Sequence, residues 1–308
     1  MKKDVFTLTR IAKLYYVDKI KQNVIAKKFN ITPMMVSRYL REAEKIGLVE
    51  IKVKMPWKSD LQLGKKIKDK YDLNECIVLD LEEGQDISLM LGRYLAEHFI
   101  SILPDDAIIG VSWGRTIGKF SESLPFANVS GCEVFPLSGT FVNKSYVVTP
   151  TGIMQSVAHK LNAQVYAVNA PLYTSNEKMK KQLMQDSSTQ IALEKAEKSD
   201  INIIGIGDLT EQNLMFELGI LSHQDLEELK SRNVIGDVAG TYIDANGNPV
   251  QWSKSNCYTG ITLDGIKKAK EVFCVAGGVE KARLIKVAAK KRYFKTLITE
   301  KKLAMQLI

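Results

Sequence analysis

Gln22-Asn23-Val24-Ile25-Ala26-Lys27-Lys28-Phe29-Asn30-Ile31-Thr32-Pro33-Met34-Met35-Val36-Ser37-Arg38-Tyr39-Leu40 is the stretch that decides the fold of the N-terminal part. Its spacing predicts a short helix over Gln22–Phe29 that buries Ile25, Ala26 and Phe29. A tight turn follows at Asn30-Ile31, and Thr32 caps a second helix. Pro33 takes the first helical position, where the amide has no intrahelical partner to lose. In that helix Val36, Leu40 and Ala43 line one face, with Ser37, Arg38 and Arg41 on the other. Upstream, Leu8, Ile11, Ala12 and Tyr15 mark a further amphipathic helix. Downstream the helix stops at Gly47, and Val49, Ile51 and Val53 alternate with Glu50, Lys52 and Lys54 as a short strand. Helix, short helix, turn, capped helix and strand make a winged helix-turn-helix over residues 1–55; a generic three-helix bundle is the alternative.

Charge supports the first reading. Residues 1–55 hold 13 Lys/Arg against 5 Asp/Glu, a net of +8. The remaining 30 Lys/Arg and 30 Asp/Glu cancel over 56–308, so one small segment carries the whole surplus. A positive module beside a neutral body suits a nucleic-acid reader, because phosphate neutralisation supplies much of the affinity. The capped helix would present its first turns to a major groove. Arg38 and Arg41 suit bidentate contacts to guanine, and Thr32 and Ser37 suit phosphate or base contacts. Lys27 would lie near the phosphate backbone, and Met34 suits either thymine methyls or packing.

With 308 residues, the chain has room for two domains. No apolar run is long enough to span a membrane, and no apolar segment follows the basic N-terminus, so no secretory signal is expected. Cys76, Cys132, Cys257 and Cys274 are scattered among apolar neighbours, and His98, His159 and His223 lack ligand spacing. A cytoplasmic protein without metal or cofactor is expected.

Lys54–Ser59 breaks the strand pattern around Pro56, so residues 56–60 are assigned as a linker. Leu61–Tyr71 reads as a connecting helix. Apolar runs then follow at Cys76–Leu79, Ala107–Val111, Glu133–Leu137, Gln164–Val168, Ile201–Ile206 and Glu271–Ala276. Between them lie helical patterns at Ile87–Ile102, Thr149–Leu161, Ser187–Lys198 and Val279–Lys291. That alternation predicts an α/β domain over 61–308 around a largely parallel sheet. Asn246-Gly247 signals an inserted antiparallel hairpin.

Ligands of such sheets bind beyond the carboxyl ends of strands, and four glycine-bearing segments qualify. Gly110-Val111-Ser112-Trp113-Gly114-Arg115-Thr116-Ile117-Gly118 leads from a strand into a helix whose first amides suit a phosphate, although a plain strand-to-helix turn is equally compatible. Gly205-Ile206-Gly207-Asp208 is a second such turn. Gly236-Asp237-Val238-Ala239-Gly240, with Asp244 beyond it, offers carboxylates for sugar hydroxyls or for turn capping. In Ala276-Gly277-Gly278-Val279-Glu280-Lys281, a lysine in the first turn opposes the helix dipole, which a bound anion would relieve. The basic run from Lys286 to Lys295 reads as the solvated face of the last long helix.

Gln22, Ile25-Ala26, Phe29, Ile31-Thr32 and Val36-Ser37-Arg38-Tyr39-Leu40, with Ala43, Gly47 and Val49, resemble the SorC/DeoR-type sugar-responsive bacterial regulators. The four glycine segments, taken in order, resemble the effector domain of the same family, as does the ending Thr296-Leu297-Ile298-Thr299. The resemblance implies a body folded like the sugar-phosphate isomerases and CoA transferases, reused for sensing a phosphorylated or free sugar. It implies an operator-binding set of Gln22, Lys27, Thr32, Pro33, Met34, Ser37, Arg38 and Arg41. It implies an effector set of Ser112, Gly114, Arg115, Thr116, Ser138, Gly207, Asp237, Asp244, Gly277 and Lys281, with Pro136–Thr140 lining the same pocket. Some family members carry a basic residue where this chain has Ser138, so covalent capture of an aldehyde by a lysine there is not expected. A self-associating, non-enzymatic repressor of a carbohydrate operon is expected, as dimer or tetramer. The alternatives are an isomerase-like enzyme with an appended helical domain, for which no histidine lies in the four segments, and a DNA-architectural protein without a ligand.

Overall fold

The computed structural model describes residues 5–49, 57–142 and 148–308. The chain forms two compact units, Met1–Pro56 and Trp57–Ile308.

In the first unit, helices run over Val5–Ala12, Gln22–Phe29 and Pro33–Lys45. The first continues as a wider π turn over Lys13–Val17, which the apolar spacing did not indicate. Leu8, Ile11, Ala12, Ile25, Ala26, Val36, Leu40 and Ala43 form its core. Phe29 is only half-buried, with the Arg10 guanidinium 5.5 Å from its ring centre. Asn30 ends the short helix at φ +50°, a left-handed position that asparagine tolerates better than most residues. The strand expected at Val49–Val53 falls, apart from Val49, outside the described residues.

The second unit is built on a seven-stranded sheet in the order β1-β10-β9-β5-β2-β3-β4, in which every pairing is parallel. Its strands are β1 (Glu75–Leu79), β2 (Ile108–Val111), β3 (Glu133–Pro136), β4 (Gln164–Val165), β5 (Ile201–Ile204), β9 (Glu271–Val275) and β10 (Thr296–Glu300). A smaller antiparallel sheet joins β6 (Ile206–Asp208), β7 (Val234–Val238) and β8 (Thr241–Asp244) in sequence order. Two large apolar cores and a small one around Val168, Ala170 and Ala192 serve the described residues of this unit.

Several expectations need correction. The run Ile201–Ile206 is not one strand, because the chain leaves the large sheet at Gly205 and enters the small one as β6. The run Gln164–Val168 pairs over two residues only. Gly236–Val238 is strand rather than loop. The tight hairpin turn is Ala239-Gly240, with both residues at positive φ, as a twist-matched two-residue turn requires. Asn246-Gly247 does turn the chain as expected, in a further reversal that returns Pro249 antiparallel to Ile243, with Val250 N–H donating to Tyr242 O at 2.9 Å. The last long helix starts as a 3₁₀ turn, Val279–Lys281, before Ala282–Lys290. The assigned linker is partly ordered structure of the body: Asp60 N–H donates to Val78 O and Asp80 N–H to Lys58 O, both at 2.8 Å. Trp57 Nε1 also donates to Glu97 at 2.7 Å.

Central strand β5 carries one fully buried polar side chain. Asn202 accepts from Ser199 Oγ at 2.6 Å and donates to Ile266 O at 2.8 Å. Neighbouring Gly110 on β2 leaves it room, since a Cβ there would stand 2.1 Å from Asn202 Oδ1. Asn202→Ala should therefore cost about 1–3 kcal/mol through the lost donor to Ile266 O, because Ser199 Oγ also bonds Ala196 O at 2.7 Å and keeps a partner. Urea unfolding checks this, and an unchanged midpoint would mean that neither bond contributes.

Candidate functional site

On the first unit, Thr32 is extended (φ −82°, ψ 154°) and its Oγ1 accepts from Met35 N at 3.2 Å, with Pro33 in the first turn. Burial of Val36, Leu40 and Ala43 fixes the helix rotation, so Met34, Arg38 and Arg41 face outward. Met34 is 80% exposed, which rules out packing within the described residues of this unit. Ser37 is half-buried and accepts from Arg41 Nη2 at 3.5 Å, while Arg38 lies 5.9 Å from the Tyr39 ring centre. Lys27 is exposed and Gln22 half-buried at the start of the preceding helix. The result is a helix with an inward apolar stripe and an outward cationic one.

On the second unit the topology selects the location. From β2 the chain moves outward to β3 and β4, then returns to β5 on the other side of β2 and continues to β9 and β10. The reversal opens a crevice between the carboxyl ends of β2 and β5, where ligands of open α/β sheets bind. A cavity of about 110 Å³ occupies that crevice, lined by Ser112–Ile117 after β2, by Gly205–Asp208 after β5, and by Asp237 and Lys281.

Gly114 opens the helix Arg115–Ser123 at φ +129° and offers no side-chain cap. The amides of its first turn therefore present positive partial charge without a capping oxygen. Ser112 Oγ and Asp208 Oδ2 are buried with no hydrogen-bond partner among the described residues. Two unpaired polar atoms lining one cavity are costly unless something else meets them. Thr116 Oγ1 lies 3.2 Å from Ser88 Oγ, and Lys281 Nζ donates to Gly277 O at 3.0 Å. Arg115 is already engaged: its guanidinium donates to Gln212 O at 3.1 Å and pairs with Glu217. An effector contact from Arg115 thus competes with a carboxylate, leaving Lys281 as the cavity cation without an acidic partner at contact distance among the described residues.

Asp237 is 6% exposed, and its Oδ2 accepts from Gly240 N at 2.8 Å. Gly207 lies opposite it in the small sheet, where a Cβ would stand 2.3 Å from Asp237 Oδ1, so only glycine permits the approach. Burial pushes the Asp237 carboxyl up from 3.8 to about 7; the bond from Gly240 opposes that rise, and the charge of Asp208 adds to it. An acid raised on folding stabilises the fold below its unfolded value, and that contribution is lost as pH rises through the folded one. Stability should therefore fall between about pH 4 and pH 7. Asp237→Asn should flatten that part of the profile, as urea midpoints across the range would reveal; an identical slope in the variant would assign it elsewhere.

Ser112, Gly114, Arg115, Thr116, Gly207, Asp237 and Lys281 come together around the cavity, and three expected residues do not. Ser138 is buried with its hydroxyl on Gly139 O at 3.0 Å, in a seam where it pairs with Gly260 and Thr140 with Pro171. Pro136–Thr140 accordingly does not line the cavity. Asp244 caps its own loop, accepting from Asn246 N at 2.8 Å and Asn248 N at 2.9 Å. These backbone bonds, led by that from Asn248, hold its carboxyl below the usual range. Gly277 is a packing glycine whose Cβ would stand 2.3 Å from Ile87 Cγ2.

The wall also includes Ser88, Gln212, Asn213 and Met215, which no sequence motif marked. Asn213 carried a usable signal, a helix-capping residue before an apolar run: its Oδ1 accepts from Met215 N at 2.8 Å and its Nδ2 donates to Asp208 O at 2.7 Å. The C-terminal basic run is partly tied down, with Arg292 paired to Asp72 and Lys291 donating to Asn248 Oδ1 at 2.9 Å.

A family model described as "Putative sugar-binding domain" matches residues 55–308. The chain is 27% identical over 299 residues to the deoxyribonucleoside regulator of Bacillus subtilis (strain 168), covering 96% of this chain and 95% of that one. It is 26% identical over 313 residues to the sorbitol operon regulator of Klebsiella pneumoniae, covering 99% and 98%. The crystal structure of the full-length sorbitol operon regulator SorC from Klebsiella pneumoniae superposes with a TM-score of 0.74 at 25% identity, covering 100% of this chain and 99% of that one.

Proposed function

The chain belongs to the sugar-binding-domain family of SorC/DeoR-type transcriptional regulators, and on that footing we propose that it binds operator DNA through residues 1–55 and senses a phosphorylated sugar through residues 61–308. The observation that carries this reading is the union, in one chain, of a cationic helix-turn-helix with a polar crevice at the reversal point of a parallel sheet. The helix that begins at Arg115, Ser112 Oγ and Lys281 supply donors for a phosphate. Asp237 and Asp208 supply partners for sugar hydroxyls.

Relatives that cover nearly the whole chain carry the names of regulators, which favours sensing over catalysis for the shared fold. A repressor acting from the cytoplasm is the form proposed. Paired reading helices require at least a dimer on a palindromic or repeated operator. Effector binding would alter operator affinity only through unequal affinity for two states of the protein.

Thermal shift against phosphorylated and free sugars, followed by gel shift on DNA upstream of the chain's own gene, tests the whole reading. A sugar phosphate that stabilises the protein and changes DNA affinity is the expected result. DNA binding indifferent to every sugar would remove the sensing role, and turnover of a sugar phosphate would restore the enzyme alternative.

A further inference from the structure

A second and larger cavity, of about 350 Å³, lies in the same unit and shares none of its lining residues with the first. Its wall includes the rings of Tyr173, Tyr242, Trp252, Tyr258 and Tyr293. Tyr173 and Tyr242 both stand edge-to-face with Trp252, at centroid distances of 6.0 and 5.4 Å. Two of the rings are held by their hydroxyls: Tyr258 Oη donates to Ala239 O at 2.7 Å and Tyr293 Oη to Gly247 O at 2.6 Å. Val250, Ile261 and Leu263 extend the apolar surface.

Lys180 also lines this cavity. It is half-buried, and its ammonium makes no hydrogen bond or contact ion pair among the described residues. Glu177, one turn earlier, pairs with Lys181 at 2.8 Å instead. Beside the aromatic wall the lining also includes the polar side chains of Thr241, Gln251, Ser255, Thr262 and Asp264, the last paired with Lys267 at 2.6 Å. A flat apolar ring gains from the same wall, and one acidic substituent would complete Lys180.

We propose that this cavity is a second ligand site, for a small planar aromatic carboxylate, distinct in chemistry from the crevice at β2 and β5. The two cavities lie on either side of the Ala239-Gly240 turn: Ala239 lines one and Gly240 the other. Gly240 N–H is also the donor that Asp237 holds. Occupancy of one cavity is thereby placed next to the backbone of the other.

Calorimetric titration of the full-length protein with indole-3-acetate and its neutral isostere indole-3-acetamide tests the site. The acid should saturate one site per chain, and the amide should bind about tenfold more weakly, the worth of one charge-assisted contact. Lys180→Ala should reduce the acid to the affinity of the amide without changing the amide itself. Lys281→Ala, in the first cavity, should leave both unchanged, and glucose 6-phosphate should not displace the acid. Absence of saturation by either probe would overturn the proposal, as would an unchanged acid-to-amide ratio in Lys180→Ala or loss of the acid in Lys281→Ala. These outcomes are independent of whether the first cavity proves to bind a sugar phosphate.

Discussion

Lys281→Ala should lower effector affinity by roughly a hundredfold and leave operator binding as it is. The size follows from the local charges. Arg115 is paired with Glu217, so Lys281 carries most of the free positive charge that an anion would meet in the crevice. Losing a charge-assisted contact to a partly desolvated anion costs about 2–5 kcal/mol. Little structural loss should accompany it, because Lys281 Nζ bonds only the carbonyl of Gly277 among the described residues. Calorimetry with the sugar phosphate found by the screen, alongside gel shift without it, reads both halves. Full response in the variant would remove Lys281 from the site. A matched Arg115→Ala variant should have the smaller effect, since the arginine must first leave its carboxylate.

The second large effect concerns DNA. Arg38 and Arg41 leave the same outward face of the Pro33–Lys45 helix, and neither contributes to the buried core of that unit. The double variant Arg38→Ala/Arg41→Ala should lose on the order of a thousandfold in operator affinity, from two base contacts worth about 1–3 kcal/mol each. Thermal stability should hardly move. Competition against unrelated DNA separates base reading from charge alone. If affinity for operator and random DNA falls by the same factor, the arginines meet phosphates and the specificity resides elsewhere on the helix.

Legibility in the sequence followed the range of the interactions involved. The Thr32 cap, Pro33 and the 36/40/43 stripe are written within a dozen residues, and their reading needed no tertiary information. The same holds for Leu61–Tyr71 and Ile87–Ile102, whose bounds match the observed helices. The apolar spacing does not mark β10 as a strand, although its residues carry part of the family resemblance. Only Leu297 and Ile298 of its five residues are apolar, and its buried environment is created by β9 and by β1, the latter far away in sequence. Gly205 likewise gave no local sign that it moves the chain between two sheets. At the crevice, glycine-bearing segments after strands pointed to β2, β5 and Lys281. Ser138, Asp244 and Gly277 were indistinguishable from these by type, and only their partners separate them: a seam, a loop cap and an isoleucine. The ion pair of Arg115 with Glu217 joins residues with no common motif, so nothing local announced it.

The position of β10 also bears on how the sensor is made. Strand β1 pairs with β10 from Glu75 opposite Thr296 onward, and among the described strands it has no other neighbour. The hydroxyl of Tyr71 similarly bonds the carbonyl of Leu307, next to the last residue. The first unit can fold from local contacts, whereas the sheet of the second cannot take in β1 without residues 296–307. A chain clipped before Thr296 would then keep the first unit and lose the closed sheet of the second. On the proposed reading such a fragment would occupy DNA deaf to any sugar, so the order of the strands makes the intactness of residues 296–307 a condition for obedience to the signal.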